Sequence, residues 1–176
     1  MTVPDELAGV HRDIAHLSWL VGDWTGFGVG TLANGDHFRY EELVQFVTDG
    51  RPFLEYRSQS WIVDDEGVRI RPSHTESGYL RPAPDNGVEA VICNPHGIAE
   101  LWLGNVTVTG IENARITGAM LKVHATNFVR TPTAPAIESG NRMYGLNNGD
   151  LFMAFDMELP GQPESAHAAI QLKRVP

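Results

Sequence analysis

Turn signals recur about every ten residues along most of this chain, and that spacing constrains the fold more than any other sequence feature. The strongest of them are Asn34-Gly35, Thr48 to Pro52, Asp64 to Gly67, Asp85 to Gly87, Asn94 to Gly97, Asn147 to Asp150 and Pro160 to Pro163. The segments between them are rich in aromatic and β-branched residues, which favour strands. The spacing therefore predicts an all-β antiparallel barrel or sandwich of about ten short strands.

One helix is predicted ahead of the strands. Leu7, Val10, Ile14, Leu17 and Leu20 recur at three- and four-residue spacing, which is typical of an amphipathic helix within Asp5 to Leu20. We expect Gly22 to end it. Without repeats or linkers, residues 1–176 are predicted to form a single domain, with a tail and capping helix in 1–20 and the barrel in 21–176.

The first predicted strand carries alternating glycines. On a strand, Gly22, Gly26 and Gly28 share one face with Trp24, so that face is almost free of side chains. Such a face allows the strand to bend, which is the favoured interpretation, and it also allows the close approach of another segment or a ligand. Gly28 to Ala33 imitates a dinucleotide-binding motif, but the hairpin signal that follows leaves no helix to hold a phosphate.

The amino-acid composition of the chain argues against several classes of binding partner. The net charge of −9 and the lack of basic clusters argue against nucleic acid. No apolar run is long enough to cross a membrane, and the first residues do not resemble a signal peptide. Cys93 is the single cysteine, so no internal disulfide is expected. We therefore expect a cytoplasmic protein with a small-molecule ligand and no nucleic-acid or membrane partner.

The sequence gives little support for a metal site or a catalytic site built from side chains alone. His74-Thr-Glu76 resembles half of a zinc-deaminase motif, but the paired cysteines of that motif are absent. No Gly-x-Ser-x-Gly elbow is present, and Cys93 in an apolar strand is expected to be a buried core residue. Neither a zinc site nor a nucleophilic enzyme is predicted.

An apolar interior is predicted from alternation in the ninth strand. The residues Leu151, Met153, Phe155, Met157 and Leu159 form one wholly apolar face. A barrel with such an interior can hold one hydrophobic ligand. Most histidines are surface or hydrogen-bonded residues, but a single histidine in an apolar pocket is typical of an axial heme ligand. His167 fits this description if it shares a strand face with Ala169 and Gln171.

Several stretches in one order resemble the nitrobindin family of heme-binding β-barrels, from about Leu17 to Arg174. They are Gly22-Asp-Trp24-Thr-Gly26-Phe-Gly28, Phe38 to Glu42, Arg51 to Tyr56, His74 to Arg81, Arg142 to Tyr144, and Gly161 to Pro163 before His167. The resemblance implies a fatty-acid-binding-protein-like (lipocalin-like) barrel that holds one ferric heme b per chain. It makes His167 the axial ligand and Asn34 a contact at the heme edge. It also implies isomerisation of peroxynitrite to nitrate and binding of nitric oxide. A homodimer is consistent with it, although the sequence does not fix the oligomeric state.

The chain departs from the family pattern at Ala33-Asn34-Gly35, at Pro135 and at Ala168. These departures bear on heme affinity and leave a second hypothesis open. It is an intracellular carrier of a fatty acid or another small hydrophobic ligand, with Tyr56 or Arg57 anchoring a carboxylate. A barrel with a purely structural or partner-binding role is the third hypothesis.

Overall fold

The computed structural model describes residues 9–32, 34–161 and 165–176. In these residues, ten antiparallel strands close into a barrel in which each strand pairs with its neighbours in sequence and β1 pairs with β10. The strands are β1 (Gly22–Thr31), β2 (His37–Val47), β3 (Leu54–Val63), β4 (Arg69–Ala83), β5 (Gly87–Asn94), β6 (Ile98–Glu112), β7 (Arg115–Arg130), β8 (Ser139–Asn147), β9 (Asp150–Glu158) and β10 (Ser165–Arg174). The predicted fold class is confirmed. No helix in the described ranges is long and apolar enough to cross a membrane.

The N-terminal helix is shorter and tighter than the sequence predicts. It is a 3₁₀-helix of nine residues, Arg12–Leu20, and the predicted start at Asp5 lies outside the described residues. The helix ends before Gly22, because the N–H of Val21 bonds to the carbonyl of Ser18 and Gly22 already begins β1. Its side chains Ile14, Leu17, Trp19 and Leu20 are buried. The helix therefore closes one end of the barrel, as a cap.

Trp24 joins this cap to the first strand. Its side chain is fully buried, and its indole N–H donates to the carbonyl of Leu20 at 2.8 Å. The guanidinium of Arg174 lies over the ring, 4.2 Å from its centroid, and also donates to the carbonyl of Val21. The start of β1, the end of β10 and the helix are thus held together around one indole.

The glycine face of β1 is filled by neighbouring parts of the chain. A Cβ at Gly26 would collide with the backbone carbonyl of Gln171 in β10. At Gly28 it would lie 2.7 Å from Cζ of Tyr40, and at Gly30 it would meet the ring of Phe38. Of the options that the sequence leaves open, the structure shows close approach of β10 and of two aromatic rings from β2.

We expect Gly26→Ala to destabilise the barrel, because the new methyl group meets rigid backbone of β10 rather than a movable side chain. Overpacking of this kind costs about 1–3 kcal/mol of unfolding free energy. Urea denaturation followed by tryptophan fluorescence measures it. Gly145→Ala on β8 is the control, since the nearest atom to its Cβ is 4.0 Å away. Equal stability of the two variants would contradict the prediction.

The hairpin predicted at Asn34-Gly35 is confirmed, but its connection is longer than two residues. β1 ends at Thr31 and β2 begins at His37. The N–H of Leu32 bonds to the carbonyl of Asp36, and the N–H of Gly35 bonds to the carbonyl of Leu32. Ala33 lies outside the described residues.

Candidate functional site

A cavity of about 450 Å³ occupies the end of the barrel opposite the helix. Apolar side chains form most of its wall, among them Leu32, Phe38, Ile98, Ile137, Met153, Phe155, Met157, Leu159 and Ile170. Four of these belong to the face of β9 and its extension that the sequence predicts to be apolar. The predicted apolar interior is therefore confirmed on this strand.

A β-bulge brings His167 into the cavity. In the pairing of β10 with β9, Ala166 lies opposite Asp156 and Ala168 opposite Phe155, so His167 is an extra residue without a partner. Bulges of this kind redirect a side chain and are frequent beside functional sites. His167 and Ala168 consequently both line the cavity, although they are adjacent in sequence.

The sequence interpretation of this strand was wrong in one respect. Ala169 and Gln171 do not share a face with His167: both are exposed on the outside of the barrel. Gln171 donates to the carboxylate of Asp150 there, at 2.7 Å. Strict alternation along β10 fails because the bulge adds one residue before the regular ladder begins.

The environment of His167 favours its neutral form. Burial lowers the pKa of His167 below its ordinary value, and the charges of His74 and Arg142 add to this effect. The ring of Phe155 packs against the imidazole with centroids 5.5 Å apart and planes at 89°. A neutral imidazole keeps a nitrogen lone pair, which is the form that binds a metal ion.

A buried charged cluster forms the inner wall of the cavity. Arg142, whose side chain is 8% exposed, donates to both oxygens of Glu76 at 2.5 and 2.9 Å and to Glu100 at 3.0 Å. Trp102 donates to Glu100 at 2.9 Å, and the hydroxyl of Tyr56 donates to Glu76 at 2.5 Å. Burial alone would raise the pKa of Glu76, but Arg142 holds that pKa well below its usual range.

Glu42 is a carboxyl of this wall with no cation partner among the described residues. The hydroxyl of Ser58 donates to one of its oxygens, and no salt bridge reaches Glu42 in the part of the chain that the structure describes. Burial raises the pKa of Glu42 from 4.5 to about 7, and the charge of Glu76 opposes its ionisation further. Near neutral pH, Glu42 is therefore present partly as the acid.

We expect Glu42 to make the protein less stable as the pH rises from about 4.5 to 7. Over this range the unfolded chain releases the proton while the folded protein keeps it, so ionisation favours unfolding. Each pKa unit corresponds to about 1.4 kcal/mol, which gives a total on the order of 3 kcal/mol. In Glu42→Gln this loss should be absent.

The measurement is urea denaturation of wild type and Glu42→Gln at several pH values from 4 to about 8. The difference in unfolding free energy between them should grow with pH in favour of Glu42→Gln. Glu66→Gln, on an exposed turn, is the control for removing a carboxylate. A difference that stays constant over the range would contradict the assignment.

His74 lies where the charged cluster meets the cavity. Burial lowers the pKa of His74, but its contact with Glu76, 3.4 Å from Nε2 to Oε2, outweighs this and raises it overall. Its ring stacks on that of His96, with centroids 5.6 Å apart. Among the described residues no group of three or more His, Cys, Asp or Glu side chains could hold a metal ion, so the partial zinc motif forms no such group there.

Several other predicted residues lie elsewhere. Asn34 is exposed in the β1–β2 connection, where its amide donates to Asp36 at 2.8 Å, while Pro135 lines the cavity. The contact of Asn34 with a heme edge stays a prediction. Arg57 is exposed on the outside of β3, so the prediction that it anchors a carboxylate in the interior was wrong. Cys93 is also exposed, not buried as predicted, because the inward positions of β5 are Val88, Ala90 and Ile92.

The charged cluster is the part of the site that the sequence interpretation missed. Its members come from β2, β4, β6 and β8, and no local motif joins them. A signal was nevertheless present. Glu100 stands between Ile98 and Trp102 on the apolar face of β6, and Glu42 stands between Tyr40 and Val44 on that of β2. A charge at an inward position of a strand indicates a buried ion pair or a functional group.

The comparisons with known proteins agree on the family to which this chain is similar. Residues 13–174 match the family model described as the THAP4-like, heme-binding beta-barrel domain. The chain is 36% identical to a peroxynitrite isomerase of Nocardioides sp. over 98% of this chain and 97% of that protein. It is 37% identical to a ferric nitrobindin-like protein of Kineococcus radiotolerans, over 90% and 91% of the two chains.

A solved structure with the same fold is also similar. The crystal structure of Rv2717c from M. tuberculosis superposes with a TM-score of 0.84 at 33% identity, covering 95% of this chain and 99% of that chain.

Proposed function

Because the chain belongs to the THAP4-like heme-binding β-barrel family, the nitrobindins, we propose that its cavity binds one ferric heme b with His167 as the axial ligand. The observation that carries this proposal is the bulge in β10, which brings His167 into the apolar part of the cavity wall, beside Phe155 and Ala168. The residues present fit the group. The low pKa of His167 supports a neutral, metal-binding imidazole, and the apolar side chains suit the faces of a porphyrin.

The proposed reaction is the isomerisation of peroxynitrite to nitrate, together with binding of nitric oxide. Heme, when bound, supplies a ferric iron at which peroxynitrite rearranges and to which nitric oxide binds. The chain would contribute His167 as the ligand and apolar side chains that pack against the porphyrin. The relatives named peroxynitrite isomerase, at 36% and 35% identity, support this choice of substrate.

The decisive test is optical and kinetic. Purified protein titrated with hemin should develop a Soret band that saturates at one hemin per chain. Stopped-flow mixing of the loaded protein with peroxynitrite should then show faster decay in proportion to protein concentration, with nitrate as the product. The heme-free protein is the control. No Soret band at saturating hemin would overturn heme binding, whereas a normal band without faster decay would overturn the reaction alone.

The second candidate function is that of a carrier of small hydrophobic molecules, because apolar side chains form most of the cavity wall. Among the described residues that line the cavity, the three carboxyl groups of Glu42, Glu76 and Glu100 lie around the guanidinium of Arg142, with His74 beside Glu76. Since Arg142 is already paired with Glu76 and Glu100, a fatty-acid carboxylate would meet an unfavourable field there. The carried ligand would therefore have a neutral or amine head group.

Displacement of a fluorescent apolar dye distinguishes the head groups. Under the carrier proposal, a long-chain alcohol or amine displaces the dye from heme-free protein at lower concentration than a fatty acid of equal length. Equal displacement by all three would contradict the electrostatic argument. No displacement at all, with no lipid found in denatured protein by mass spectrometry, would exclude the carrier.

A further inference from the structure

The imidazole ring of His167 is not held in place by a hydrogen bond from any described residue. Its backbone is left out of the β9–β10 pairing, and its pairing with β1 begins only at Ala168. In the described ranges of the chain, no hydrogen bond reaches its ring. Histidines that bind metals usually donate the second ring N–H to a carboxylate or carbonyl group, which fixes the ring. Among the described residues, packing supplies the contact that fixes the ring.

Phe155 supplies that contact. It lies directly opposite Ala168 in the ladder, and its ring meets the imidazole at 89° with centroids 5.5 Å apart. Perpendicular arrangements at this separation are favourable between aromatic rings. A side chain on the neighbouring strand thus replaces the usual hydrogen-bonded partner.

Phe155 is itself held from the other side. The guanidinium of Arg142, its partner in the β8–β9 ladder, lies 4.8 Å from the centre of its ring. The indole of Trp102 packs edge-on at 6.0 Å, and Arg142 lies 4.6 Å from that ring as well. Gly140 leaves the space for this stack, since a Cβ there would lie 2.9 Å from Cη2 of Trp102 and 3.4 Å from Cε2 of Phe155.

The far end of the stack is hydrogen-bonded to buried carboxylates. Arg142 is fixed by two hydrogen bonds to Glu76 and one to Glu100, which in turn accepts a hydrogen bond from Trp102. Within the described residues the Nε–H of Arg142 has no hydrogen-bond partner, and its guanidinium is held through the two terminal nitrogens and the two aromatic faces. A connected path of contacts therefore runs from the buried ion pairs through Phe155 to His167.

We propose that Phe155 is a positioning residue whose ring, supported by Arg142, holds the His167 imidazole in the orientation that binds heme iron. The inference rests on the proposed function, because it concerns the ligand of that heme. Without the ring of Phe155, the imidazole of His167 adopts several orientations on its bulge. Binding to iron must then order the imidazole, and this cost lowers the affinity for heme. The loss of an outer partner of a metal ligand lowers metal affinity by about 10–100-fold.

The test compares Phe155→Leu with Phe155→Tyr and Phe152→Leu. Tyrosine keeps the ring, and Phe152 lies on the same strand but outside the cavity lining, so Phe152→Leu is the matched control. In heme-free protein, NMR should show cross-relaxation between the His167 and residue 155 rings in wild type and in Phe155→Tyr. In Phe155→Leu the His167 ring signals should move towards those of free histidine.

In heme-loaded protein, Phe155→Leu should release heme about tenfold faster and show a changed ferric EPR spectrum. Phe155→Tyr and Phe152→Leu should match wild type in both respects. If Phe155→Leu keeps the wild-type release rate and spectrum, or if Phe155→Tyr is as impaired as Phe155→Leu, the positioning role is wrong. A wild-type protein that forms no Soret band would instead overturn the proposed function, and with it this inference.

Discussion

Replacing His167 with alanine is expected to abolish the Soret band that hemin produces with the wild-type protein. The imidazole lies in the apolar part of the cavity wall, and burial favours its neutral form. Under the proposed function, its removal takes away the nitrogen that binds the iron. The loss of affinity should exceed about 100-fold, the upper end of what losing an outer partner of a ligand costs. Hemin titration followed by absorbance, with heme transfer to apomyoglobin as a second measure, quantifies it.

Two controls make this result specific. His124→Ala removes a histidine that is exposed on the outside of β7, where its ring meets Asn141, and should leave the titration unchanged. Added imidazole should restore a Soret band to His167→Ala, because the space left by the side chain admits the free ligand. An unaltered band in His167→Ala would show that another group holds the iron. Far-UV circular dichroism establishes whether the variant is folded.

The largest effect on stability is expected from Arg142→Met. The substitution leaves Glu76 and Glu100 buried without the cation that pairs with both. Breaking a buried ion pair by removing one partner costs about 3–5 kcal/mol, because an uncompensated charge stays in a poorly solvated interior. Two-state urea denaturation at neutral pH should show this decrease in unfolding free energy.

A combined variant tests whether the uncompensated carboxylates cause the loss of stability in Arg142→Met. Arg142→Met combined with Glu76→Gln and Glu100→Gln removes the uncompensated carboxylates and should recover much of the stability lost in the single variant. Arg57→Met is the control for losing a surface arginine, and its effect should stay within about 0.5 kcal/mol. A single variant as stable as wild type, or a combined variant no better than Arg142→Met, would contradict the ion-pair argument.

Local patterns predicted the barrel well because each strand is bounded by its own turn chemistry. The alternation in β9 also predicted which face lines the cavity, since Met153, Phe155 and Met157 all do so. The helix was predicted from apolar spacing, but spacing does not distinguish an α-helix from the tighter 3₁₀-helix of Arg12–Leu20.

The site was predicted in part. His167, selected from the family pattern as the axial ligand, lines the cavity, and its role as ligand stays a prediction. The supporting strand-face argument was wrong, because alternation would have placed His167 with Ala169 and Gln171 on the outer surface. A bulge depends on how two strands pair, and the sequence of one strand does not contain that information. The charged cluster was missed for a similar reason, because its members meet only when strands pair. Glu76 and Arg142 are 66 positions apart in the sequence and come together only when the barrel closes.

The bulge also has an evolutionary consequence. Since Ala166 pairs with Asp156 and Ala168 with Phe155, a chain lacking residue 167 would continue the ladder without a gap. The proposed ligand is thus an insertion in an otherwise regular strand. Under the proposed role of His167, loss of this single codon would remove the axial ligand while the pairing of β10 with β9 continues in the same register.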